Sequence, residues 1–125
     1  MKYTDSLKKN RDFQQVYHGG TSKSNRYLVM VMLRNGQEMN RLGISVSKKV
    51  GNSVVRHRIT RLIREGYRLN EDSFISGLDL VIIARPAAKD ISFHEVEGSL
   101  LYLGNRLHII RKSEQEEEPA DISQE

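Results

Sequence analysis

The chain has 125 residues, is 38% hydrophobic and 6% aromatic, and contains no cysteine. This length suits one domain with a modest core. The missing thiols exclude a disulfide framework, a thiolate metal site and a cysteine nucleophile. The N-terminus lacks the apolar stretch of a signal peptide, and no apolar run approaches transmembrane length. We therefore expect a soluble, cytoplasmic protein.

The acidic residues are unevenly distributed along the chain. The formal net charge is +4, but residues 113–125 carry six acids and no base. Residues 1–112 hold all 20 bases and ten of the 16 acids, so their net charge is +10. A body this basic points first to nucleic acid and second to an anionic membrane surface. We predict one domain over residues 1–112 and a disordered acidic tail over residues 113–125, solubilising rather than autoinhibitory.

The first predicted element is a short helix in "NRDFQQVYHGG". Asn10 can cap this helix, and Gly19–Gly20 ends it. Phe13, Val16 and Tyr17 follow each other at helical spacing, so they share one face.

Two strands are predicted next. "NRYLVMVMLRNG" is apolar on both faces near its middle, as expected when helices or a cleft cover both sides. "RLGISVS" alternates strictly and is predicted to pair with it as an antiparallel neighbour. In the first strand the alternation places Tyr27, Val29, Val31 and Leu33 on one face, and Leu28, Met30 and Met32 on the other. In the second strand it places Leu42, Ile44 and Val46 together.

A buried strand and a final helix complete the pattern. "LDLVIIARP" is a short apolar run stopped by Pro86. Ser92 and Glu95 have the spacing of a capping box at the start of the last helix. The order helix, strand, strand, helix, strand, helix predicts an α/β (α+β) two-layer sandwich of a small mixed sheet with helices. The last helix carries an apolar stripe: Val96, Leu100, Leu103, Leu107 and Ile110.

Between the second and third strands lies "KKVGNSVVRHRITRLIRE", with six Lys or Arg, one His and one acid. Its pattern predicts an amphipathic helix. Gly51 permits a tight approach, Asn52 or Ser53 caps the helix, and the free N–H groups beside Lys48–Lys49 form an anion site. One side of the helix is apolar, with Val55, Ile59, Leu62 and Ile63. The other side carries Arg56, His57, Thr60, Arg61, Arg64 and Arg68, with Arg58 at the border.

So many like charges on one helix repel each other by a few tenths of a kcal/mol per pair. A row of phosphates removes that repulsion and releases counterions. Arginine also suits planar, bidentate contact with phosphate and stacking on bases. A merely solvated face usually mixes signs, and Glu65 alone offers that here. The helix therefore favours binding of nucleic acid.

At these residues the sequence resembles the protein subunit of bacterial ribonuclease P. In that family a helix opens after Gly-Asn and carries an Arg-Asn-Arg core followed by further bases, which stands here as "SVSKKVGNSVVRHRITRLIRE". "SLKKNRDFQQVYHGGTS" resembles the family's N-terminal helix, and "LDLVIIARP" its strand after the basic helix. Two residues depart from the pattern. His57 replaces the central Asn, and Thr60 replaces a Lys.

The resemblance implies a fold like the second domain of ribosomal protein S5, with a left-handed βαβ crossover. It also implies that the protein is not itself the catalyst. In the family an RNA subunit with bound Mg²⁺ cuts the 5′ leader from precursor tRNA. The protein binds that RNA and holds the leader in a cleft between the first helix and the sheet. We expect a monomer that binds no cofactor or metal itself.

Site residues follow from the resemblance residue by residue. The leader cleft would involve Phe13, Tyr17 and Tyr27, whose rings can stack on bases of any sequence. Ordinary core packing remains the alternative for Phe13 and Tyr17. The RNA-facing surface would comprise Arg56, His57, Arg58, Arg61, Arg64 and Arg68, with Lys48, Lys49, Asn52 and Ser53 at the helix start.

Three other interpretations stay open. A structural RNA-binding protein of ribosomal type would share the basic surface but need no leader cleft. A membrane-surface role is weaker, because the basic helix uses its apolar face on the sheet. An enzyme acting by its own side chains would need histidines to converge. The four histidines lie in no recognisable catalytic pattern: His18, His57, His94 and His108.

Overall fold

Five strands form one mixed sheet that carries three helices, and a computed structural model of the chain describes residues 1–111. The predicted acidic tail lies outside the described residues. The elements in chain order are β1 Thr4–Ser6, α1 Asn10–Gly19, β2 Thr21–Ser24, β3 Leu28–Arg34, β4 Asn40–Ser45, α2 Ser53–Leu69, β5 Leu78–Ala84 and α3 Phe93–Arg106. Short 3₁₀ turns at Glu71–Ser73 and Pro86–Asp90 flank β5.

The strand order is β1-β4-β5-β3-β2. β1, β4 and β5 are parallel, whereas β3 is antiparallel to both β5 and β2. The predicted α/β class with a small mixed sheet is confirmed. The predicted pairing of β3 with β4 is wrong, because β5 lies between them. β5 is buried on both faces and takes the centre of the sheet. The Asn35 amide, in the connection from β3 to β4, donates to Asp79 of β5 at 3.0 Å.

α2 connects the neighbouring parallel strands β4 and β5, and so forms a βαβ crossover. Its left-handedness stays a prediction. β1 and β2 escaped the sequence analysis because "TDS" and "TSKS" contain no apolar alternation.

Helices cover both faces of the sheet, as the two-faced pattern of β3 predicted. α2 and α3 enclose the main core, in which Leu28 and Met30 of β3 are completely buried. On the other face Val31 packs with Val16 of α1 and Val81 of β5 in a much smaller cluster. No helix within residues 1–111 is long and apolar enough to cross a membrane.

The ends of the helices follow the sequence signals with two exceptions. One is the end of α3 at Arg106, which leaves Leu107 and Ile110 of the predicted stripe beyond the helix, Ile110 in a bridge with Phe74. Ser92 and Glu95 form the predicted capping box of α3. α1 ends at Gly19–Gly20 as predicted, with Gly19 as its last residue and Gly20 as its C-cap. A Cβ on Gly20 would lie 2.6 Å from the Val16 carbonyl oxygen and 2.7 Å from that of Met32. The predicted Asn10 cap is wrong. Lys9 is the N-cap and α1 begins without a side-chain cap, so Asn10 is already helical.

Candidate nucleic-acid interface

α2 divides into an apolar and a basic side, as its periodicity predicted. Ile59, Ile63 and Tyr67 are fully buried against the sheet and α3. On the opposite side Arg61 and Arg64 are exposed. The helix therefore presents these charges to solvent, while its apolar side packs on the sheet and α3.

The start of α2 has the geometry of an anion site. The side chain of Asn52 accepts a hydrogen bond from the Val55 N–H at 3.0 Å, and the helix begins at Ser53. A Cβ on Gly51 would lie 2.8 Å from Cγ1 of Val55, so glycine permits the close approach that was predicted. Lys48–Lys49 is exposed in the preceding turn. Cations and helix N–H groups are thus brought together.

The arginines of α2 differ in their freedom. Arg58 donates to the Ile91 carbonyl oxygen at 2.6 Å and is held against the segment that precedes α3. Arg68 forms a two-bond ion pair with Glu65, at 2.7 and 2.9 Å. Within residues 1–111, Arg61 and Arg64 form no ion pair. These two arginines therefore have the most freedom to bind an added anion.

A groove of about 300 Å³ runs between α2 and the end of β4. Within it the Nε of Arg56 is buried and has no hydrogen-bond partner in the described residues. A buried N–H is costly to leave unpaired. The hydroxyl of Thr60 donates to the Arg56 carbonyl oxygen at 2.9 Å. The groove is lined by Ile44, Val46, Ser53, Arg56, His57, Thr60, Arg61 and Arg64.

A second cavity, of about 240 Å³, opens between α1, β1 and β4. Phe13 and residues 5–8 form one part of its lining, and Ile44 and Arg64 form another. Ile44 and Arg64 also line the groove on α2. The two cavities therefore adjoin, and we call the second one the cleft.

Of the three predicted cleft aromatics, Phe13 lines the cleft, and Tyr17 lies beside Phe13 without lining the cleft itself. Phe13 is half-buried and Tyr17 is 36% exposed, with ring centroids 6.2 Å apart. Tyr27 does not join them, and its predicted place in the cleft is wrong. It packs against the main core, and its hydroxyl donates to Glu95 of α3 at 2.8 Å. The Asn25 side chain accepts from the Tyr27 N–H, so this residue lies in a turn outside the alternation of β3.

An ion-pair network attaches α1 to the sheet. Arg41 of β4 binds Asp79 of β5 through two hydrogen bonds of 2.6 and 2.9 Å, and it contacts Asp12 of α1 at 3.4 Å. Burial alone would raise the pKa of Asp79, but hydrogen bonds from Arg41 and Asn35 lower it below its usual value. This network links α1, which contributes Phe13 to the cleft, to β4 and β5.

β1, which forms one wall of the cleft, is held by Glu71. The Glu71 carboxylate accepts hydrogen bonds from the N–H groups of Lys2 and Tyr3, both at 2.9 Å, and from the Thr4 hydroxyl at 2.6 Å. Burial would raise the pKa of Glu71, but these hydrogen bonds lower it below the usual value. The Tyr67 hydroxyl of α2 lies 2.9 Å from Thr4 and so ties the wall to the basic helix.

The sequence analysis missed several of these residues. Arg41 and Asp79 are far apart in the sequence, and no local pattern joins them. Gly43 offered a weak signal, since an isolated glycine inside an alternating strand often marks a close approach. It is buried under the ring of Phe13.

Within residues 1–111 no group of three His, Asp or Glu side chains is placed to hold a metal ion. The histidines lie on different elements. His18 is at the end of α1, His57 on α2, His94 in the first turn of α3 and His108 just after α3.

A basic helix on an α/β scaffold, beside a cleft that the ring of Phe13 lines, defines an RNA-binding protein. A family model described as Ribonuclease P matches residues 1–108. The chain is 53% identical to the ribonuclease P protein component of Lachnoclostridium phytofermentans (89% of this chain, 96% of the relative). It is 46% identical to that of Alkaliphilus metalliredigens (88% and 99%).

Comparison with solved structures indicates the same family as the sequence relatives. The RNase P protein of Staphylococcus aureus superposes with a TM-score of 0.78 at 37% identity, covering 85% of this chain and 97% of that one. The RNase P protein from Thermotoga maritima gives 0.73 at 32% identity, covering 78% and 93%. The chain therefore belongs to the ribonuclease P protein family, as its motifs predicted. It shares the RNA binding of that family and its role in tRNA processing.

Proposed function

We propose that this protein binds the RNA subunit of ribonuclease P through α2 and guides the 5′ leader of precursor tRNA through the cleft. One observation carries the proposal: the aromatic cleft and the basic groove adjoin at Ile44 and Arg64. A single strand that stacks on Phe13 would reach the arginines of α2 without leaving the protein surface. Stacking tolerates any base, which suits leaders of different sequence.

The contacts of the arginines support a division of labour within this proposal. Arg61 and Arg64 line the groove, Arg64 also lines the cleft, and both arginines neutralise phosphates near the junction. Lys48–Lys49 and the start of α2 bind the RNA subunit. Arg58 and Arg68 already have partners, so they contribute charge rather than direct contacts.

The cleavage chemistry in this proposal belongs to the RNA subunit. Mg²⁺ serves the RNA phosphates and the attacking water, and the protein contributes no metal ligand. The protein acts as a monomer in the cytoplasm, where precursor tRNA is processed.

The test compares two precursor tRNAs, one with a leader and one without. Each is bound to ribonuclease P RNA in Mg²⁺, with and without this protein. We expect the protein to tighten binding of the leader-bearing tRNA and to change the other little. Equal tightening of both would overturn leader recognition and favour the alternative, a structural RNA-binding subunit of ribosomal type.

Aromatic substitutions sharpen the same test. Replacing Phe13 and Tyr17 by Leu is expected to lower affinity for the leader-bearing tRNA alone. Tyr102→Leu is the matched control, because Tyr102 is 48% exposed on α3, away from the cleft. A loss of the same size in the control would show that exposed aromatic residues in general, and not the cleft, bind the leader.

A further inference from the structure

Gly43 lies in the middle of β4, directly beneath the ring of Phe13. A Cβ built on Gly43 would lie 2.6 Å from Cζ and 2.7 Å from Cε1 of Phe13. Carbon atoms in favourable contact are about 3.5–4.0 Å apart. The ring of Phe13 therefore occupies space that any other residue at position 43 would fill with its side chain.

The backbone of β4 does not itself require glycine at this position. Within residues 1–111 the glycines with left-handed φ are Gly36 and Gly77, both in loops. Gly43 lies in a regular ladder opposite Val81 of β5. A glycine inside a strand weakens it relative to alanine. What glycine provides at this position is room for the ring of Phe13, rather than a special backbone conformation.

We propose that Gly43 is a positioning residue for leader recognition, because it lets the ring of Phe13 pack closely against the sheet. This inference rests on the proposed leader-binding role of the cleft. Phe13 lines the cleft while its ring stays 6.2 Å from that of Tyr17. A methyl group on residue 43 would lift the ring by about 1 Å to restore ordinary contact. The lifted ring would narrow the space in which a base stacks.

The same geometry predicts that the fold tolerates the change. The two atoms nearest to the added Cβ lie at the far edge of the Phe13 ring, and the third is Cβ of Leu7 at 3.2 Å. The ring therefore has to move most, and Leu7 has to shift by only a few tenths of an ångström. Gly20 provides the contrast, because a Cβ there would meet two backbone carbonyl oxygens.

The experiment measures Gly43→Ala in the complex with ribonuclease P RNA, using precursor tRNA with and without a leader. We expect affinity for the leader-bearing tRNA to fall about fivefold or more. Affinity for the leaderless tRNA and for the RNA subunit should stay unchanged. Gly19→Ala is the matched control, since a Cβ there would make ordinary contact with Leu33 at 3.6 Å. Wild-type affinity of Gly43→Ala for both tRNAs would overturn the inference.

A double-mutant cycle separates positioning from a general structural role. In a Phe13→Leu background, which retains Tyr17, adding Gly43→Ala should lower leader affinity no further. Additive losses would overturn the inference, because Gly43 would then act independently of Phe13. If Gly43→Ala alone does not fold, the double variant Phe13→Leu, Gly43→Ala decides. A folded double variant would support the inference, and an unfolded double variant would overturn it. A wild-type protein that does not distinguish the two tRNAs would instead refute the proposed function itself.

Discussion

Within residues 1–111, the face of the sheet that packs on α2 and α3 contributes to a core of 19 buried residues, whereas the face under α1 belongs to a cluster of four. Hydrophobic stabilisation grows with buried apolar area, so the first face supplies most of the stability. The thin cover on the second face leaves Phe13 and Tyr17 partly exposed. The contrast suggests that this protein separates the part that maintains the fold from the part that meets a single strand.

The largest effect should come from a cavity in the main core. Leu100→Ala is expected to lower the free energy of unfolding by about 2–5 kcal/mol, because Leu100 is completely buried. Val16→Ala under α1 removes less apolar surface from a smaller cluster and should cost about 1–2 kcal/mol. Urea denaturation measures both. Equal losses would mean that the two faces contribute alike.

The next largest effect should follow removal of the charge that anchors α1. Asp79→Asn leaves Arg41 without its main partner and should cost about 1–3 kcal/mol near pH 7. The hydrogen bonds that lower the pKa of Asp79 stabilise the fold above the pKa of the unfolded state, and this contribution disappears as pH falls through the lower, folded pKa. The wild type and the variant should therefore converge below about pH 4.

Urea denaturation at a series of pH values tests this prediction. Asp72→Asn is the control, since Asp72 is exposed and its replacement should change stability by less than about 0.5 kcal/mol. A constant difference between wild type and Asp79→Asn down to low pH would contradict the assignment.

A smaller effect is expected from substitutions that weaken RNA binding without changing the stability of the fold. The double variant Arg61→Ala, Arg64→Ala should lose about tenfold in affinity for ribonuclease P RNA and change stability by less than about 0.5 kcal/mol. If the wild type neutralises about five or six phosphates, log affinity against log salt has a slope near −4 to −5, and the variant should be shallower by about two.

Arg106→Ala on α3 is the matched control for these arginines, because Arg106 is exposed and interacts with Tyr102. A wild-type slope flatter than about −2 would mean that the arginine face of α2 is not the contact surface.

The smallest effect should be a gain in the stability of the fold. Gly98 lies inside α3, and a Cβ there would have no atom within 4 Å. Gly98→Ala should raise the free energy of unfolding by about 0.5–1 kcal/mol through helix propensity, with RNA affinity unchanged. Thermal unfolding followed by circular dichroism tests this. A destabilised variant would show that the exposed face of α3 needs its glycine.

Sequence reasoning succeeded where a pattern is local and strong. The apolar stripe of α2, the buried run of β5 and the capping box of α3 each predicted an element that the structure contains. It failed where contacts between residues far apart in the sequence determine which strands form and how they pair. The polar edge strands β1 and β2 exist because a partner strand pairs with them, and β3 and β4 are separated because β5 lies between them.

The same distinction applies to the candidate site. The basic face of α2 follows from periodicity alone. The cleft depends on contacts between distant segments, such as Gly43 with Phe13 and Arg41 with Asp12. Tyr27 illustrates the limit, because one hydrogen bond to Asn25 moves it out of the alternation that β3 follows.

The joint between α1 and β2 has a consequence for how the family can vary in length. Gly20 accounts for the whole connection, since Thr21 already pairs with Met32. An inserted residue there would shift the register of β2 and turn its side chains to the other face. Residues 35–39, between β3 and β4, form a loop with a left-handed glycine and can absorb extra residues. Relatives should therefore gain and lose residues between β3 and β4, and keep the junction after α1 constant in length.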